Sequence, residues 1–360
     1  MLATGGGNDR ALLLDTGSFE QLADLGGFGD SVIEVKFSKH SLEDLYLAAA
    51  SLDGSIRVFS TSEAEGLVVK CVLEGAAGDA DTPCGVTWID WHPRGSVLAA
   101  GFEDGSIWLW NVSATDASGL CNPMTVFAGL IVGAVTFGCF TPDGKTVLAG
   151  GEDGSVFLLS PSLRADNQVV AKLSSGIMSG PITKLAMAGS VVCCGDAEGT
   201  LKLFKCVGGS FTLLSTLLTA SSLQNDDGES TEENKSIEGV AFHETTAGAL
   251  LAACSMSGIL NIWMVTANCS IRHELGGLLP LDDREGWTQL LWLPGWDNCG
   301  NALLACSSLG RLVLFDGLSG HLMPRQLKGH YGSPVLNLSY SKEKKTLAVA
   351  FDDGSVALYN

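Results

Sequence analysis

The stretch VLAAGFEDGSIWLWNV, Val97 to Val112, decides the fold, because close variants of it return along almost the whole chain. Each variant is a short apolar run, an acidic or small residue followed by Gly, and an alternating strand that ends on an aromatic. With Asp104 of the Asp-Gly turn taken as zero, Trp110 falls at plus six. The same offset joins Asp53 to Phe59, Asp153 to Leu159, Glu198 to Phe204, Ser257 to Trp263, Leu309 to Phe315 and Asp353 to Tyr359. The turns lie 44 to 59 residues apart, which is the period of a four-stranded propeller blade with loops of varying length. The expected fold is an all-β propeller that takes in residues 1–360 as a single domain.

Composition agrees with many short buried strands separated by tight turns: 46% of the 360 residues are hydrophobic and 45 are glycine. In a blade the chain runs from an inner strand a to an outer strand d, and d leads directly into strand a of the next blade. Seven complete a-b-c units are expected. Their inner strands lie near Val32 to Phe37, Val86 to Trp91, Val135 to Phe140, Ile182 to Met187, Ile237 to Phe242, Trp287 to Trp292 and Val335 to Tyr340. Before them, Leu2 to Gly6, Ala11 to Asp15 and Ser18 to Asp24 read as strands b, c and d, so that Met1 begins inside a blade. Two closures are open. Ser18 to Asp24 can complete the last blade and close a ring of seven, or Leu2 to Asp24 can be a partial first blade of eight, with unpaired edges at the seam. A chain cut short at its start would account for the second.

Twenty-one basic against forty acidic residues give a net charge of −19. That balance repels phosphate backbones and anionic membranes and attracts basic partners, which argues against nucleic acid as a direct ligand. Eleven cysteines are present, but Cys193, Cys194, Cys254 and Cys306 sit in apolar strand runs, where a thiol behaves as a small hydrophobe. No Cys-x-x-Cys pair or His-x-His set suggests a metal. The thiols therefore read as reduced and the protein as cytoplasmic, with a nuclear location kept open. Neither a secretory signal nor an apolar run of membrane-spanning length is present.

The topology places charge. The d-to-a connections and b-to-c turns share one face, whereas the a-to-b and c-to-d connections share the other. The d-to-a connections hold Asp30, Asp79, Asp81, Asp226, Asp227, Glu229, Glu232, Glu233, Asp282, Asp283 and Glu285. The b-to-c turns add Asp9, Asp53, Glu103, Asp104, Glu152, Asp153, Asp196, Glu198, Asp352 and Asp353. Basic company there is slight: Arg10, Lys235 and Arg284. Such a face would speed capture of a basic chain in a salt-sensitive way. The candidate partner-binding set is the acids of the connections together with Glu103, Glu152 and Asp352, and with Trp287, which, if exposed beside Asp282 and Asp283, would anchor a partner. Residues 219–236 read as an acidic mobile loop. A structural duty competes for the turn acids, since Asp before Gly accepts backbone bonds in such turns. Trp88 and Trp91, expected on one face of their strand, read as packing residues.

Catalysis finds no support. The six histidines are scattered, and there is no nucleophile elbow, phosphate loop or metal-ligand cluster. His330 has a structural explanation in a bond to Asp353.

The pair Gly329-His330, the Asp-Gly turns and the strand-ending aromatics resemble the WD-repeat family. The Trp-Asp pair itself is replaced by Trp110-Asn111, Phe315-Asp316 and Tyr359-Asn360. With Gly-His present once, most blades are expected to rely on packing rather than on a His-Asp-Trp hydrogen-bond chain. The segments VTWIDWHPRGSVLAAGFEDGSIWLWNV (Val86 to Val112) and TPDGKTVLAGGEDGSV (Thr141 to Val156), and the acidic insertion before KSIEGVAF, are similar to the angio-associated migratory cell proteins and their fungal relatives that chaperone ribosomal proteins. That resemblance favours eight blades. It implies a monomeric, cofactor-free, non-catalytic propeller that holds a basic segment of a large-subunit ribosomal protein during ribosome assembly. The alternative is a general scaffold in signalling or cell migration. It would use the opposite face, where Lys39, Lys145, Lys342, Lys344 and Lys345 lie at a-to-b turns.

Overall fold

The computed structural model describes residues 1–39, 45–62, 66–75, 84–116, 119–162, 168–218, 234–277, 279, 281 and 285–360. The protein is an all-β, eight-blade β-propeller, and among the described residues helix is confined to one 3-10 turn at Val112–Ala114. Two compact units, Met1–Ile177 and Met178–Asn360, hold four sheets each.

In the first unit, blade 1 is β1 (Leu2–Gly6), β2 (Arg10–Leu14) and β3 (Gln21–Leu25). Blade 2 is β4 (Val32–Phe37), β5 (Tyr46–Ser51), β6 (Ser55–Ser62) and β7 (Gly66–Glu74). Blade 3 is β8 (Val86–Trp91), β9 (Val97–Phe102), β10 (Ile107–Asn111) and β11 (Pro123–Phe127). Blade 4 is β12 (Val135–Phe140), β13 (Val147–Gly151), β14 (Val156–Leu159) and β15 (Val169–Leu173). In the second unit, blade 5 is β16 (Ile182–Ala188), β17 (Val191–Asp196), β18 (Leu201–Val207) and β19 (Ser210–Leu218). Blade 6 is β20 (Ile237–Thr245), β21 (Gly248–Ser255), β22 (Leu260–Thr266) and β23 (Ile271–Leu275). Blade 7 is β24 (Trp287–Trp292), β25 (Ala302–Ser307) and β26 (Leu312–Asp316), and blade 8 is β27 (Val335–Ser341), β28 (Thr346–Phe351) and β29 (Val356–Tyr359). All pairings are antiparallel, and each chain segment returns beside its predecessor, as short hairpin turns require.

The closed ring of seven is overturned. β3 pairs with β2 in the register Ala11↔Leu25 to Leu14↔Gln21, so blade 1 is a sheet in its own right.

The b strands explain how neighbouring blades fit. LAAAS, VLAAGF, VLAGG, LLAACS and, up to its closing Asp196, VVCCGD are small or apolar and buried on both faces. Small residues there leave room for a large side chain from the strand beside them. Gly101 and Gly138 bracket the Trp88 indole, and a Cβ at either would collide with it. Cys193, Cys194, Cys254 and Cys306 are fully buried in these strands, and burial pushes each of these thiols well above its ordinary range, so they stay protonated and apolar.

Inner strands are joined to their neighbours by polar bonds at repeated positions. The Thr87 hydroxyl donates to the Val135 carbonyl and Thr183 to Ile237, both at 2.6 Å. Those threonines occupy a position that recurs in all seven inner strands, where the register slips after the first pair and a residue bulges from the ladder. The aromatic four places further on reaches back: Trp91 donates to Lys36 O, Trp292 to Ala241 O and Tyr340 to Pro294 O. Trp88 and Trp91 thus lie on opposite faces, contrary to expectation, because residues three apart in a strand differ in parity. Both are core residues, as are Trp110 and Trp263. Each buried aromatic removes ~150–250 Å² from water, on the order of 4–6 kcal/mol, against about 1 kcal/mol for a net hydrogen bond. Packing therefore carries the blade interfaces.

Candidate functional site

Seven b-to-c turns share one construction. The residue after zero is Gly in the left-handed region, with φ between 73° and 84°. Its N–H bonds back to the carbonyl three residues earlier, as in Gly54 to Ser51 and Gly105 to Phe102. A side chain at that Gly would be strained, which explains why Gly recurs while the residue before it varies.

Each turn is tied to the d-to-a connection of its own blade. The residue before zero donates its N–H to a carbonyl of that connection in every case: Leu52 to Ser31, Glu103 to Gly85, Glu152 to Ala134, Ala197 to Pro181, Met256 to Ser236, Ser308 to Gly286 and Asp352 to Pro334. Turns and connections are thereby neighbours in each blade, which places their acids together within each unit.

Carboxylates reinforce this tie. Oδ1 of Asp53, Asp104, Asp153 and Asp353 accepts the N–H of the serine two residues on, at 2.8 to 2.9 Å. The second oxygen of Asp53 accepts from Gly29 N at 2.6 Å, that of Asp153 from Val132 N at 3.3 Å, and that of Asp353 meets His330 Nδ1 at 3.1 Å. Glu103 and Glu152 accept from the Gly85 and Ala134 N–H groups of the connections. Partial burial raises the Asp53 carboxyl, but bonds from Gly29, Ser55 and Ser51 outweigh it and hold the group below the ordinary range. Asp353 is also held low, by Ser355 first and by His330 further down.

In blade 5 Asp196 takes over this duty. It is fully buried and accepts from Ser179 and Gly180 of the connection and from Glu198 and Thr200 of the turn. Glu198, at zero, is left exposed. In blade 7 zero is Leu309, and the tie reverses: Glu285 of the connection faces Arg311 of the turn at 3.3 Å.

Of the candidate partner-binding residues, Asp30, Glu103, Glu152 and Asp352 are exposed on these loops. The carboxylates of Glu198 and Asp352 take no hydrogen bond or ion pair from the described residues. Two candidates are corrected. Glu285 is 4% exposed and committed to Arg311, and Trp287 is fully buried against Phe315 with a ring separation of 6.4 Å. Trp287 opens an inner strand, so its side chain points into the blade interface rather than to solvent. Trp296 is likewise buried. Asp79, Asp81, Asp226, Asp227, Glu229, Glu232, Glu233, Asp282 and Asp283, with most of segment 219–236, lie outside the described residues.

Three arginines near these loops are already engaged, whereas Lys328 of the blade 8 connection is exposed. Arg10 pairs with Asp24. Arg57 bonds the Gly27 carbonyl and lies over the Phe28 ring at 5.4 Å, and Arg311 meets Glu285. Arg57 and Arg311 were hidden in the sequence because they sit within or beside c strands; only their small offset past the turn Gly marks them.

On the a-to-b side, Lys342, Lys344 and Lys345 are exposed in the turn between β27 and β28, while Lys39 is paired with the buried Asp90 at 2.8 Å. A cleft of about 590 Å³ there is lined by His243, Glu244, Thr245, Met264, Asn301 and Leu318. Among the described residues no group of three His, Cys, Asp or Glu is arranged to hold a metal ion.

Comparison with known proteins agrees with this construction. The model of the WD domain, G-beta repeat, matches residues 77–111, 125–159 and 323–360. The human angio-associated migratory cell protein is 26% identical over 363 aligned residues, covering 100% of this chain and 74% of that protein. Among solved structures, Sqt1 of Chaetomium thermophilum bound to the N-terminus of ribosomal protein L10 superposes with a TM-score of 0.80 at 22% identity, covering 99% of this chain and 93% of that one. Sqt1 of Saccharomyces cerevisiae gives a TM-score of 0.78 at 19% identity, over 99% and 91%. At those identities the two structures speak for the fold. The chain is thus an eight-blade propeller that carries WD repeats, similar along its whole length to the human angio-associated migratory cell protein.

Proposed function

We propose that this protein is a non-catalytic binding module that captures a basic protein segment on its acid-bearing loops, and that the segment belongs to a large-subunit ribosomal protein awaiting assembly. One observation carries the reading. In the described loops, the basic side chains Arg10, Arg57 and Arg311 are spent on internal bonds, whereas Asp30, Glu198 and Asp352 are exposed. The surface charge there is left unbalanced, in a chain of net charge −19. Unbalanced carboxylates on backbone-pinned loops attract a basic segment at long range and need no chemistry to hold it. The structure of Sqt1 bound to the N-terminus of ribosomal protein L10 supports a ribosomal-protein segment as the partner of a propeller of this fold, and the ribosomal identity of the partner here rests on that likeness.

Affinity purification of the tagged protein from its own cells, washed at low and then moderate salt, tests the reading. One basic ribosomal protein in near-equal amount, released as salt rises, is the expected result. A broad set of signalling or cytoskeletal proteins without it would favour the second reading, a scaffold, for which the exposed Lys342, Lys344 and Lys345 supply a separate surface.

A further inference from the structure

The cleft of about 590 Å³ lies wholly within the second unit, between blades 6 and 7. Its walls come from the a-to-b turn that joins β20 to β21, from β22, from the residues leading into β25 and from the c-to-d connection after β26. None of these belongs to the acid-bearing turns and d-to-a connections.

One wall is a fixed, flat surface. Trp292 closes β24, is 7% exposed, and donates its indole N–H to the Ala241 carbonyl at 3.1 Å. Gly317 packs so closely on the indole that a Cβ there would lie 2.4 Å from it. His243, which lines the cleft, lies on Trp292 with ring centroids 5.1 Å apart and planes 23° apart. The imidazole is therefore held in one plane by packing rather than by hydrogen bonds, because its nitrogens take no partner among the described residues. Beside it stand two apolar side chains, the half-buried Met264 and Leu318, which is 51% exposed.

The polar groups of the cleft are unspent. Glu244 is exposed, and its carboxylate takes no hydrogen bond or ion pair from the described residues. The Asn301 side-chain amide is equally without a partner among them. Asp316, two places before Leu318, adds negative charge but is committed to the N–H groups of Leu318 and Ser319 at 2.9 Å. Among the described residues no Lys or Arg lines the cleft.

A carboxylate and an amide oxygen free to accept, an apolar patch and a fixed aromatic plane together suit a cation with a long apolar stem and a flat head. Lysine has the stem without the flat head, whereas a guanidinium stacks on a ring and meets a carboxylate with two parallel N–H groups. We propose that this cleft takes an arginine side chain of a partner peptide, with the guanidinium on His243 and Glu244 and the stem against Met264 and Leu318. The site goes beyond capture on the acid-bearing loops and does not depend on it.

The test titrates the full chain with N-acetyl-arginine methylamide and with its citrulline and lysine counterparts; citrulline keeps the length and planar head and loses the charge. With the seven methionines isotope-labelled at their methyls, the Met264 signal, identified by Met264→Leu, is followed by NMR. The arginine probe should shift that signal saturably, with the citrulline probe about tenfold weaker and the lysine probe several-fold weaker. Glu244→Gln, an exposed and isosteric change, should weaken the arginine probe about tenfold and leave the citrulline probe unaffected. No saturable shift of Met264, a citrulline or lysine probe as tight as arginine, or an unchanged arginine affinity in Glu244→Gln would overturn the site.

Discussion

Blades 4 and 7 solve one problem with opposite chemistry. In blade 4 the turn supplies the acids, Glu152 and Asp153, and the connection supplies N–H groups. In blade 7 the turn carries Leu309 and Arg311, and the connection supplies the acid, Glu285. What is common is a tie between turn and connection; the sign of the charge is free. A carboxylate on these loops is therefore not evidence of a binding surface until its bonds are known, and the acids available to a partner are those left over.

The largest effect is expected where the tie is buried. Arg311→Met leaves the fully buried Glu285 carboxylate without its counter-charge and should cost about 3 kcal/mol in urea unfolding, with Glu285→Met/Arg311→Met recovering most of it. An unshifted Arg311→Met midpoint would show that the pair is not a tie. Blade 5 sharpens the contrast within one turn. Asp196→Ala strands four N–H donors and should cost about 2 kcal/mol, whereas Glu198→Ala, two residues away and exposed, should stay within about 0.5 kcal/mol of wild type. Equal losses would erase the distinction between tying and spare acids.

A smaller effect concerns acid. Asp53 has its carboxyl held low in the folded chain, so its contribution is complete above the unfolded value of ~3.9 and is lost as pH falls through the lower folded value. Asp53→Asn should flatten the acid limb of stability below about pH 4 and change little at neutral pH. A variant whose acid limb matches wild type would remove Asp53 from the tie.

Much of the fold was legible because the zero-to-plus-six offset is local. It fixed the turns, and four inner strands, Val32–Phe37, Val86–Trp91, Val135–Phe140 and Trp287–Trp292, begin and end where the pattern places them. The choice between seven and eight blades was not legible, since Gln21–Leu25 fits either partner by pattern and only the observed register with β2 decides. The site was half legible. Connection and turn are about 20 residues apart in sequence, so nothing local shows that Glu285 answers Arg311, that Asp196 replaces Glu198, or that Arg57 is spent on Gly27. Trp287 was misplaced because the aromatic stands at the junction of loop and strand, where one residue separates solvent from core.

The central claim is that the acids left over by the ties capture a basic segment. It is tested most directly by titrating the protein with a peptide from the N-terminus of ribosomal protein L10 across a series of salt concentrations, beside the variant Asp30→Asn/Glu198→Gln/Asp352→Asn. Binding that weakens at least tenfold from low to moderate salt, with a shallower slope and lower affinity in the unchanged fold of the variant, is the predicted result. No binding at low salt, or binding equally tight and equally salt-dependent in the variant, would contradict the account.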